Sequence, residues 1–268
     1  MKKKLFLLDA YALIYRAHFA FINNPRINSK GLNTSAIFGF CNSLLEVINN
    51  HEPTHLGVVF DPPGGSNRED IFTEYKANRQ EMPEDIRKAI PYIFEILKAM
   101  NIQVEMISGF EADDLIGTLS KQAEKKGFKV FMMTPDKDFG QLVSENIFIY
   151  KPGRSGNPSE ILGPNEVCEK FEVERPEQVI DILGLWGDAV DNIPGIPGIG
   201  EKTAKKLIGK YGSIENLLAN TEDLKGKQKE NVENFAEQGL ISKKLATIIL
   251  DCPVEFNESI YKRKEIDE

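Results

Sequence analysis

Three short apolar runs, each followed by aspartate, constrain the fold of this chain more than any other feature of its sequence. The runs cover residues 4–8, 56–60 and 129–134, and the aspartates that follow them are Asp9, Asp61, Asp136 and Asp138. Continuous apolar runs of this length are typical of strands buried on both faces of a parallel sheet. The carboxyl ends of such strands lie on one edge of the sheet, where ligands bind. We therefore expect these four carboxylates to meet in space, although one aspartate after a strand is also explained by a turn.

Segments with helical spacing separate the apolar runs. They repeat apolar side chains every three or four positions and cover residues 35–50, 84–100 and 112–126. Gly127 follows the last of them and is typical of a helix end. This alternation of strand and helix predicts an α/β fold with a mostly parallel central sheet flanked by helices.

The pattern changes after about residue 160, where short helical segments joined by Gly and Pro replace the strand-like runs. We therefore place an α/β core at residues 1–174 and a helical annex at residues 175–268. Residues 262–268 are charged apart from Ile266 and have the composition of a linker. A linker there is expected if this chain is the front part of a longer protein.

Two further acidic clusters accompany the strand-end aspartates. Glu111, Asp113 and Asp114 open the helix predicted over residues 112–126, and Asp188 and Asp191 lie three positions apart in a Gly-rich turn. Each cluster taken alone is explained by helix or turn capping. One acid suffices as a cap, however, and three in four residues repel one another. The excess therefore indicates that cations compensate it.

Together the two groups supply nine carboxylates from five segments, with no histidine or cysteine among them. Ligands that are all oxygen select hard cations such as Mg²⁺, Mn²⁺ or Ca²⁺. A calcium-binding loop would gather its ligands in about twelve consecutive residues, which this spacing does not do. Mg²⁺ takes only one or two carboxylates per ion, so nine indicate at least two ions. Two ions a few ångströms apart are the arrangement that supports phosphoryl displacement.

The net charge of the chain does not by itself exclude a nucleic-acid partner. The chain carries 33 Lys and Arg against 41 Asp and Glu, and its formal net charge of −8 argues against a nucleic-acid partner. With the nine carboxylates set aside, 32 acids face the same 33 bases, so the remaining surface can carry a basic stripe. Cys41, Cys168 and Cys252 are far apart and have no nearby histidine in the sequence, which favours the reducing cytoplasm. No run approaches the ~18 apolar residues of a membrane span, so no membrane partner is expected.

Two basic segments are candidate phosphate-binding elements. Tyr75, Lys76 and Arg79 follow a flexible stretch at residues 62–66. These side chains form either a solvated face or the positive groups that a phosphodiester needs beside so many carboxylates. The glycine turn, residues 195–200, precedes a predicted helix, and its backbone N–H groups can cradle a phosphate. An ordinary joint between two helices is the alternative for this turn.

Four motifs occur together and in order: Tyr75-Lys-Ala-Asn-Arg79, Glu111-Ala-Asp-Asp-Leu115, Thr134-Pro-Asp-Lys-Asp138 and the segment 187–200. From Leu5 to about Leu250, the chain resembles the 5′-nuclease (flap endonuclease) superfamily. Within that superfamily it is similar to the amino-terminal 5′–3′ exonuclease domains of bacterial DNA polymerases I. The resemblance implies a structure-specific 5′-nuclease that hydrolyses DNA phosphodiester bonds near 5′ ends, in primer removal and repair.

The resemblance also implies roles for individual residues. It assigns Asp9, Asp61, Glu111 and Asp113 to a first Mg²⁺, for which Mn²⁺ would substitute. It assigns Asp114, Asp136, Asp138, Asp188 and Asp191 to a second ion, partly through water. Lys76 and Arg79 would contact the scissile phosphate from a helical gateway.

DNA contacts are implied by the same resemblance. Tyr75 would lie beside the entering strand, and Arg16 would approach the 5′-phosphate region. The glycine turn would be a helix-hairpin-helix-like element that binds the duplex backbone and, in this family, often a monovalent cation. Its contact residues would be Gly195, Gly198, Gly200, Lys202, Thr203, Lys205 and Lys206. The expected partner is DNA with a 5′ end, nick or flap, or an RNA–DNA primer strand, bound by a monomer in the bacterial cytoplasm near the nucleoid.

Two positions depart from the family pattern, because Ala10 and Tyr11 stand where Gly-Ser is expected after Asp9. Two other functions remain open from the residues alone. One is a non-catalytic module that binds DNA junctions, and the other is a structural domain that tethers a polymerase. The sequence does not decide whether a polymerase domain follows, whether exonuclease or flap cleavage dominates, or whether the 5′ strand is DNA or RNA.

Overall fold

The computed structural model describes residues 3–153 and 157–264. Within these ranges a six-stranded sheet forms the centre of the molecule, in the order β3-β2-β1-β4-β5-β6. The strands are β1 (Lys4–Asp9), β2 (His55–Val59), β3 (Gln103–Glu105), β4 (Lys129–Met133), β5 (Ile147–Lys151) and β6 (Glu160–Leu162). All neighbouring pairs are parallel except β5 and β6, which are antiparallel. The predicted mostly parallel sheet is confirmed.

Helices cover both faces of the sheet and make up most of the chain after β6. They are α1 (Ala10–Ala20), α2 (Ser35–His51), α3 (Glu84–Ala99), α4 (Ala112–Lys125), α5 (Pro164–Phe171), α6 (Val179–Trp186), α7 (Glu201–Tyr211), α8 (Ile214–Leu218), α9 (Gly226–Asn234), α10 (Ala236–Ala246) and α11 (Glu258–Tyr261). Short 3₁₀ turns occupy Asp138–Leu142, Pro176–Gln178 and Thr221–Asp223. Across the described ranges no helix is long and apolar enough to span a membrane.

Alternation along β1 divides the apolar core between the two faces of the sheet. Phe6 and Leu8 face one buried cluster, to which α1, α2 and α3 contribute. Leu5 and Leu7 face the other, which is shared by α4 and the C-terminal helices. Successive side chains of a strand point to opposite faces, so a strand between two helical layers must be apolar throughout. This is why the runs that predict β1, β2 and β4 are continuous.

The last part of the chain returns to the first part. Phe256 is fully buried with its ring 5.0 Å from that of Phe128, and the Tyr261 hydroxyl donates to Glu105 at 2.6 Å. Residues 252–261, within the predicted helical annex, therefore also complete the core beside the sheet. The boundary after residue 174 stays a prediction. Of the predicted linker, residues 265–268 lie outside the described residues.

Candidate metal centre and nucleic-acid interface

The carboxyl edge of the sheet brings the strand-end aspartates together as predicted. Asp9 ends β1 and caps α1, where its Oδ1 accepts from the backbone N–H of Ala12 at 3.1 Å. Its Oδ2 accepts from the Thr134 hydroxyl, also at 3.1 Å, beyond the end of β4. Asp61 lies two residues after β2 and accepts from the backbone N–H of Ala112 at 2.9 Å, at the start of α4. The chain therefore anchors each carboxylate to the neighbouring segment.

A cavity of about 910 Å³ opens over this edge. Six of the nine predicted carboxylates line it: Asp9, Asp61, Glu111, Asp136, Asp188 and Asp191. Lys76, Arg79 and Lys137 share the wall with them. The remaining three, Asp113, Asp114 and Asp138, are not part of the wall. Carboxylates that are scattered over the sequence are thus collected around one cavity with positive side chains among them.

Burial and mutual repulsion make ionisation of the carboxyl groups in this pocket unfavourable. Burial, together with the neighbouring Asp61 and Asp136, raises the pKa of Asp9 to about 7. Burial and Asp136 likewise raise the pKa of Asp138 to about 7. The pKa of Asp113 is raised well above its ordinary value, first by burial and then by its acidic neighbours. Bound cations would relieve this repulsion, since a nearby opposite charge favours the ionised carboxylate.

Positive side chains already pair with three acids of the pocket. Lys76 Nζ lies 2.6 Å from Glu111 Oε2, Arg79 Nη2 lies 2.6 Å from Asp191 Oδ1, and Lys137 pairs with Asp188. Burial alone would raise the pKa of Glu111, but Lys76 and Arg68 outweigh it and hold that pKa below its usual range. Among the residues that the structure describes, no three acidic, histidine or cysteine side chains converge as a finished ion cage. The oxygen-only donor set nevertheless fits hard divalent cations.

The segment that carries Lys76 and Arg79 is held against the turn at residues 188–192. The backbone N–H of Lys76 donates to the Asp191 carbonyl at 2.9 Å. The Asn78 side chain donates to the Ala189 carbonyl at 2.8 Å. Lys76 adopts a left-handed backbone conformation, with φ of 56°. The resemblance implies a helical gateway here, whereas residues 62–83 form turns without a regular helix.

Asp114 occupies a different place from the one implied for a metal ligand. It is fully buried, and its two carboxylate oxygens accept from Arg68 Nη1 and Nη2 at 2.8 and 2.7 Å. The backbone N–H of Ile249 also donates to Asp114, at 2.8 Å. This geometry does not support Asp114 as a direct ligand of the second ion. Sequence reasoning missed Arg68, since nothing in the local pattern distinguishes it from an exposed arginine.

Tyr75 and Arg16 contact other parts of the protein, and their implied contacts with DNA stay predictions. Tyr75 is buried, 4% exposed, and its hydroxyl donates to Glu111 Oε2 at 3.2 Å. It therefore contacts a carboxylate of the cavity wall from the protein interior. Arg16 donates to the carbonyls of Pro152 and Gly153, at the end of β5. Neither side chain belongs to the cavity wall.

An aromatic stripe on α1 lines the cavity in their place. Tyr11, Tyr15 and Phe19 follow one another along the helix, with ring centroids 6.4 and 6.3 Å apart. Phe19 is 54% exposed. The sequence carries the signal for this stripe, because aromatic residues four positions apart share one face of a helix.

The glycine turn divides into a buried half and an exposed half. Gly195 is buried, donates to Ser242 Oγ at 3.0 Å and accepts from the Gln238 side chain at 2.6 Å. Its backbone groups are therefore engaged within the protein. Gly198 and Gly200 are exposed, and Gly200 caps α7, where the backbone N–H of Thr203 donates to its carbonyl at 3.0 Å. The exposed half is the part that can meet a phosphate.

The three predicted lysines of α7 do not share one environment. Lys202 and Lys206 are exposed. The Lys205 side chain is 11% exposed, lies 2.9 Å from Glu201 and donates to the Lys170 carbonyl at 2.8 Å. Lys205 therefore packs against α5 rather than facing solvent.

Two family profiles match this chain in sequence. The profile of the 5'-3' exonuclease N-terminal resolvase-like domain covers residues 4–172, and that of the 5'-3' exonuclease C-terminal SAM fold covers residues 174–268. DNA polymerase I of Bacillus subtilis is 42% identical over 260 residues, which are 96% of this chain and 29% of that protein. The 5'-3' exonuclease of Aquifex aeolicus is 41% identical over 265 residues, which are 99% of this chain and 88% of that protein.

Solved structures share the fold at lower identity. The T5 5'-exonuclease with bound zinc has a TM-score of 0.76 and 21% identity, over 91% of this chain and 89% of that one. Flap endonuclease-1 from Methanococcus jannaschii has a TM-score of 0.61 and 20% identity, over 92% of this chain and 79% of that one. The two sequence profiles together span nearly the whole chain, so the resemblance predicted from the motifs is confirmed: the chain belongs to the 5′–3′ exonuclease family of nucleases.

Proposed function

We propose that this nuclease hydrolyses DNA phosphodiester bonds near a free, nicked or flapped 5′ end, with two Mg²⁺ or Mn²⁺ ions held in the acidic pocket. The cavity wall carries the proposal, because six carboxylates and the cationic Lys76 and Arg79 share it. The carboxylates suit the metals, and the cations suit the phosphate that lies between them. A purely binding module would gain nothing from an acidic pocket, since DNA affinity comes from positive charge.

The resemblance divides the pocket residues between the two proposed ions. Asp9, Asp61 and Glu111 would hold the first, with Asp113 behind them at the start of α4. Asp136, Asp138, Asp188 and Asp191 would hold the second, some of them through water. Bound divalent ions supply Lewis acidity and generate a nucleophile from water at neutral pH.

The cationic side chains would orient the scissile phosphate. Lys76 and Arg79 are held by Glu111 and Asp191 at the cavity wall, so small rotations bring them to a phosphate oxygen. Burial alone would lower the pKa of Lys76, but Glu111 and Asp191 outweigh it and raise that pKa. Lys76 is therefore charged at neutral pH and stabilises negative charge on the phosphate in the transition state.

One solved relative supports the choice of substrate and ions. One T5 flap endonuclease structure is described as a pseudo-enzyme-product complex with DNA and metal ions, at a TM-score of 0.74. The chain spans about 29% of the length of the DNA polymerase I relatives. We infer that the nuclease acts as a cytoplasmic monomer on primer and repair intermediates. We also place a monovalent cation at the exposed half of the glycine turn.

Cleavage of a 5′-labelled flap duplex tests the proposal. Wild-type protein, Asp61→Asn and Asp251→Asn are each assayed with Mg²⁺ and with EDTA. Asp251 is exposed and lies outside the cavity, so it is the matched control for loss of one negative charge. We expect Mg²⁺-dependent products from the 5′ side with wild type and Asp251→Asn, and strong loss with Asp61→Asn. Salt-sensitive DNA binding without products from flap, nick or gap substrates would support a non-catalytic binding module instead.

A further inference from the structure

Arg68 is a buried cation behind the pocket wall. It is 3% exposed, and its guanidinium makes a forked pair with both carboxylate oxygens of Asp114. Its Nε donates to the Leu245 carbonyl and its Nη2 to the Thr247 carbonyl, both at 3.0 Å. A planar guanidinium with four hydrogen bonds has a single orientation, which a lysine in its place would not have.

The Arg68–Asp114 pair contacts the pocket through Glu111. Arg68 Nη1 lies 3.4 Å from Glu111 Oε2, the oxygen that also accepts from Lys76 Nζ at 2.6 Å. Asp114 Oδ2 accepts from the backbone N–H of Glu111 at 3.2 Å. Both the side chain and the backbone of Glu111 are therefore held by the pair. Arg68 also begins the segment, residues 68–79, that carries Lys76 and Arg79.

Helix α10 extends from the same pair to the glycine turn. It ends at Ala246, between the two carbonyls that accept from Arg68. Nearer its start, Gln238 and Ser242 hold the backbone of Gly195. Close-packed protein interiors transmit displacements, so α10 links the glycine turn to the base of the Lys76 segment through these hydrogen bonds.

We propose that Arg68 is a positioning residue of the nuclease reaction, which holds Glu111 and the Lys76 segment in register with the end of α10. This inference rests on the proposed function, because it concerns the same reaction. Arg68 itself is not part of the cavity wall, and it acts through Glu111 and Lys76.

Two variants test the role of the forked contact. Arg68→Lys keeps the charge and loses the fork, and Arg68→Met removes the charge at similar length. We expect the single-turnover cleavage rate of Arg68→Lys at saturating Mg²⁺ to fall about 10- to 100-fold, as for other residues that orient metal ligands. The dissociation constant for flap DNA, measured with Ca²⁺ in place of Mg²⁺, should change little.

Stability is separated from positioning by a paired change. Arg68→Met leaves the buried Asp114 carboxylate unpaired, so its melting temperature should fall. Adding Asp114→Asn removes the stranded charge and should restore melting temperature without restoring the cleavage rate. Recovery of both together would overturn the proposal, since Arg68 would then matter only for folding.

Thr118→Val is the matched control for a lost tether between α4 and the C-terminal segment. Thr118 is fully buried, donates to the Ile249 carbonyl at 3.2 Å and accepts from the backbone N–H of Cys252 at 3.3 Å, farther from the pocket. We expect a lower melting temperature with an unchanged cleavage rate.

The route through Lys76 is tested by combining Arg68→Lys with Lys76→Ala. If Arg68 acts by placing Lys76, the two rate losses should be clearly less than multiplicative. Multiplicative losses, or a wild-type rate in Arg68→Lys, would overturn the inference while leaving the nuclease function intact. Wild-type protein without Mg²⁺-dependent products in the same assay would instead overturn the proposed function, and the inference with it.

Discussion

The acidic pocket and the glycine turn are assembled by opposite means. The pocket collects side chains from positions as distant as Asp9 and Asp191, which lie in separate segments of the chain. The glycine turn is a run of consecutive residues, and its backbone N–H groups would bind the phosphate. The pocket gathers charge that burial makes unfavourable, whereas the turn exposes uncharged N–H groups beside a few lysines.

This difference predicts separable functions. Changes in the pocket should alter the chemical step and the response to metal ions and pH, because its side chains carry buried charge. Changes in the turn should alter affinity for duplex DNA and its salt dependence, because phosphate contacts position without reading sequence. Substitutions in either element can break this separation.

Lys76→Ala should produce the largest change. We expect cleavage turnover to fall about 10²–10³-fold, by analogy with the loss of one oxyanion donor. Affinity for flap DNA in Ca²⁺ should change little, since Lys76 lies at the cavity wall and not at the glycine turn. Single-turnover kinetics beside a binding titration measure both quantities.

The control for this change is Lys88→Ala, which removes an exposed lysine whose partner is Glu84 at 2.8 Å on the surface of α3. It should leave turnover and affinity unchanged. Wild-type turnover in Lys76→Ala would remove Lys76 from the mechanism, and an equal loss of affinity would contradict the separation of pocket and turn.

Metal stabilisation should depend on pH in a direction that the raised pKa values set. Asp9, with a pKa of about 7 against 3.8 as a free side chain, stays protonated in the folded chain after the unfolded chain has ionised. Without metal, the unfavourable contribution of Asp9 to the free energy of folding is absent below pH ~4. It grows as pH rises and is complete above pH ~7. Divalent ions compete with the protons on these carboxyl groups. The stabilisation that the ions give should therefore grow from pH ~4 to pH ~7.

Thermal melting with and without Mg²⁺ at pH 5.5 and pH 8 measures this dependence. At Mg²⁺ ~100-fold above its dissociation constant we expect a rise of about 5–10 °C at pH 8 and a much smaller one at pH 5.5. Asp9→Asn should weaken the dependence on pH, and Asp251→Asn should not. Equal stabilisation at both pH values would contradict buried, proton-competing ligands.

The sequence predicts the pocket better than it predicts what surrounds the pocket. Asp9, Asp61 and Asp136 are found because one topological rule links the end of a parallel strand to a shared edge. The pairing of Arg68 with Asp114 depends on where the chain returns after α10, and no local pattern contains that information. The same holds for Lys205, since only the packing of α7 against α5 separates it from Lys202 and Lys206. Strands β3 and β6 are missed because three residues are too few to show a period.

Alanine substitutions in the glycine turn should distinguish its two halves. Gly195→Ala should disrupt the turn, because φ is +61° and the added Cβ would meet the Gly187 backbone nitrogen at 2.5 Å. Gly198→Ala adds strain at φ of +77° with only the Asn231 side chain near, so we expect a loss of about 1–2 kcal/mol in the free energy of unfolding. Gly209→Ala, in α7, is the control, because its added Cβ would make only an ordinary contact with the Glu172 carbonyl oxygen at 3.7 Å; it should be neutral or slightly stabilising. Denaturant unfolding measures all three, and equal effects at Gly195 and Gly198 would contradict the division of the turn.

The α7 lysines should give the smallest effects and the sharpest test of the interface. Lys202→Ala and Lys206→Ala should each weaken binding to duplex DNA a few-fold and lower the slope of log affinity against log salt by about 1, as for one lost phosphate contact. Lys205→Ala is the matched control, because its side chain is engaged with Glu201 and the Lys170 carbonyl. It should leave the salt slope unchanged, and none of the three should alter the single-turnover rate at saturating DNA.

A salt slope that falls for Lys205→Ala but not for Lys202→Ala would mean that the duplex approaches α7 from the α5 side. The exposed half of the glycine turn would then not be the phosphate site, since α5 lies on the face of α7 that Lys205 occupies.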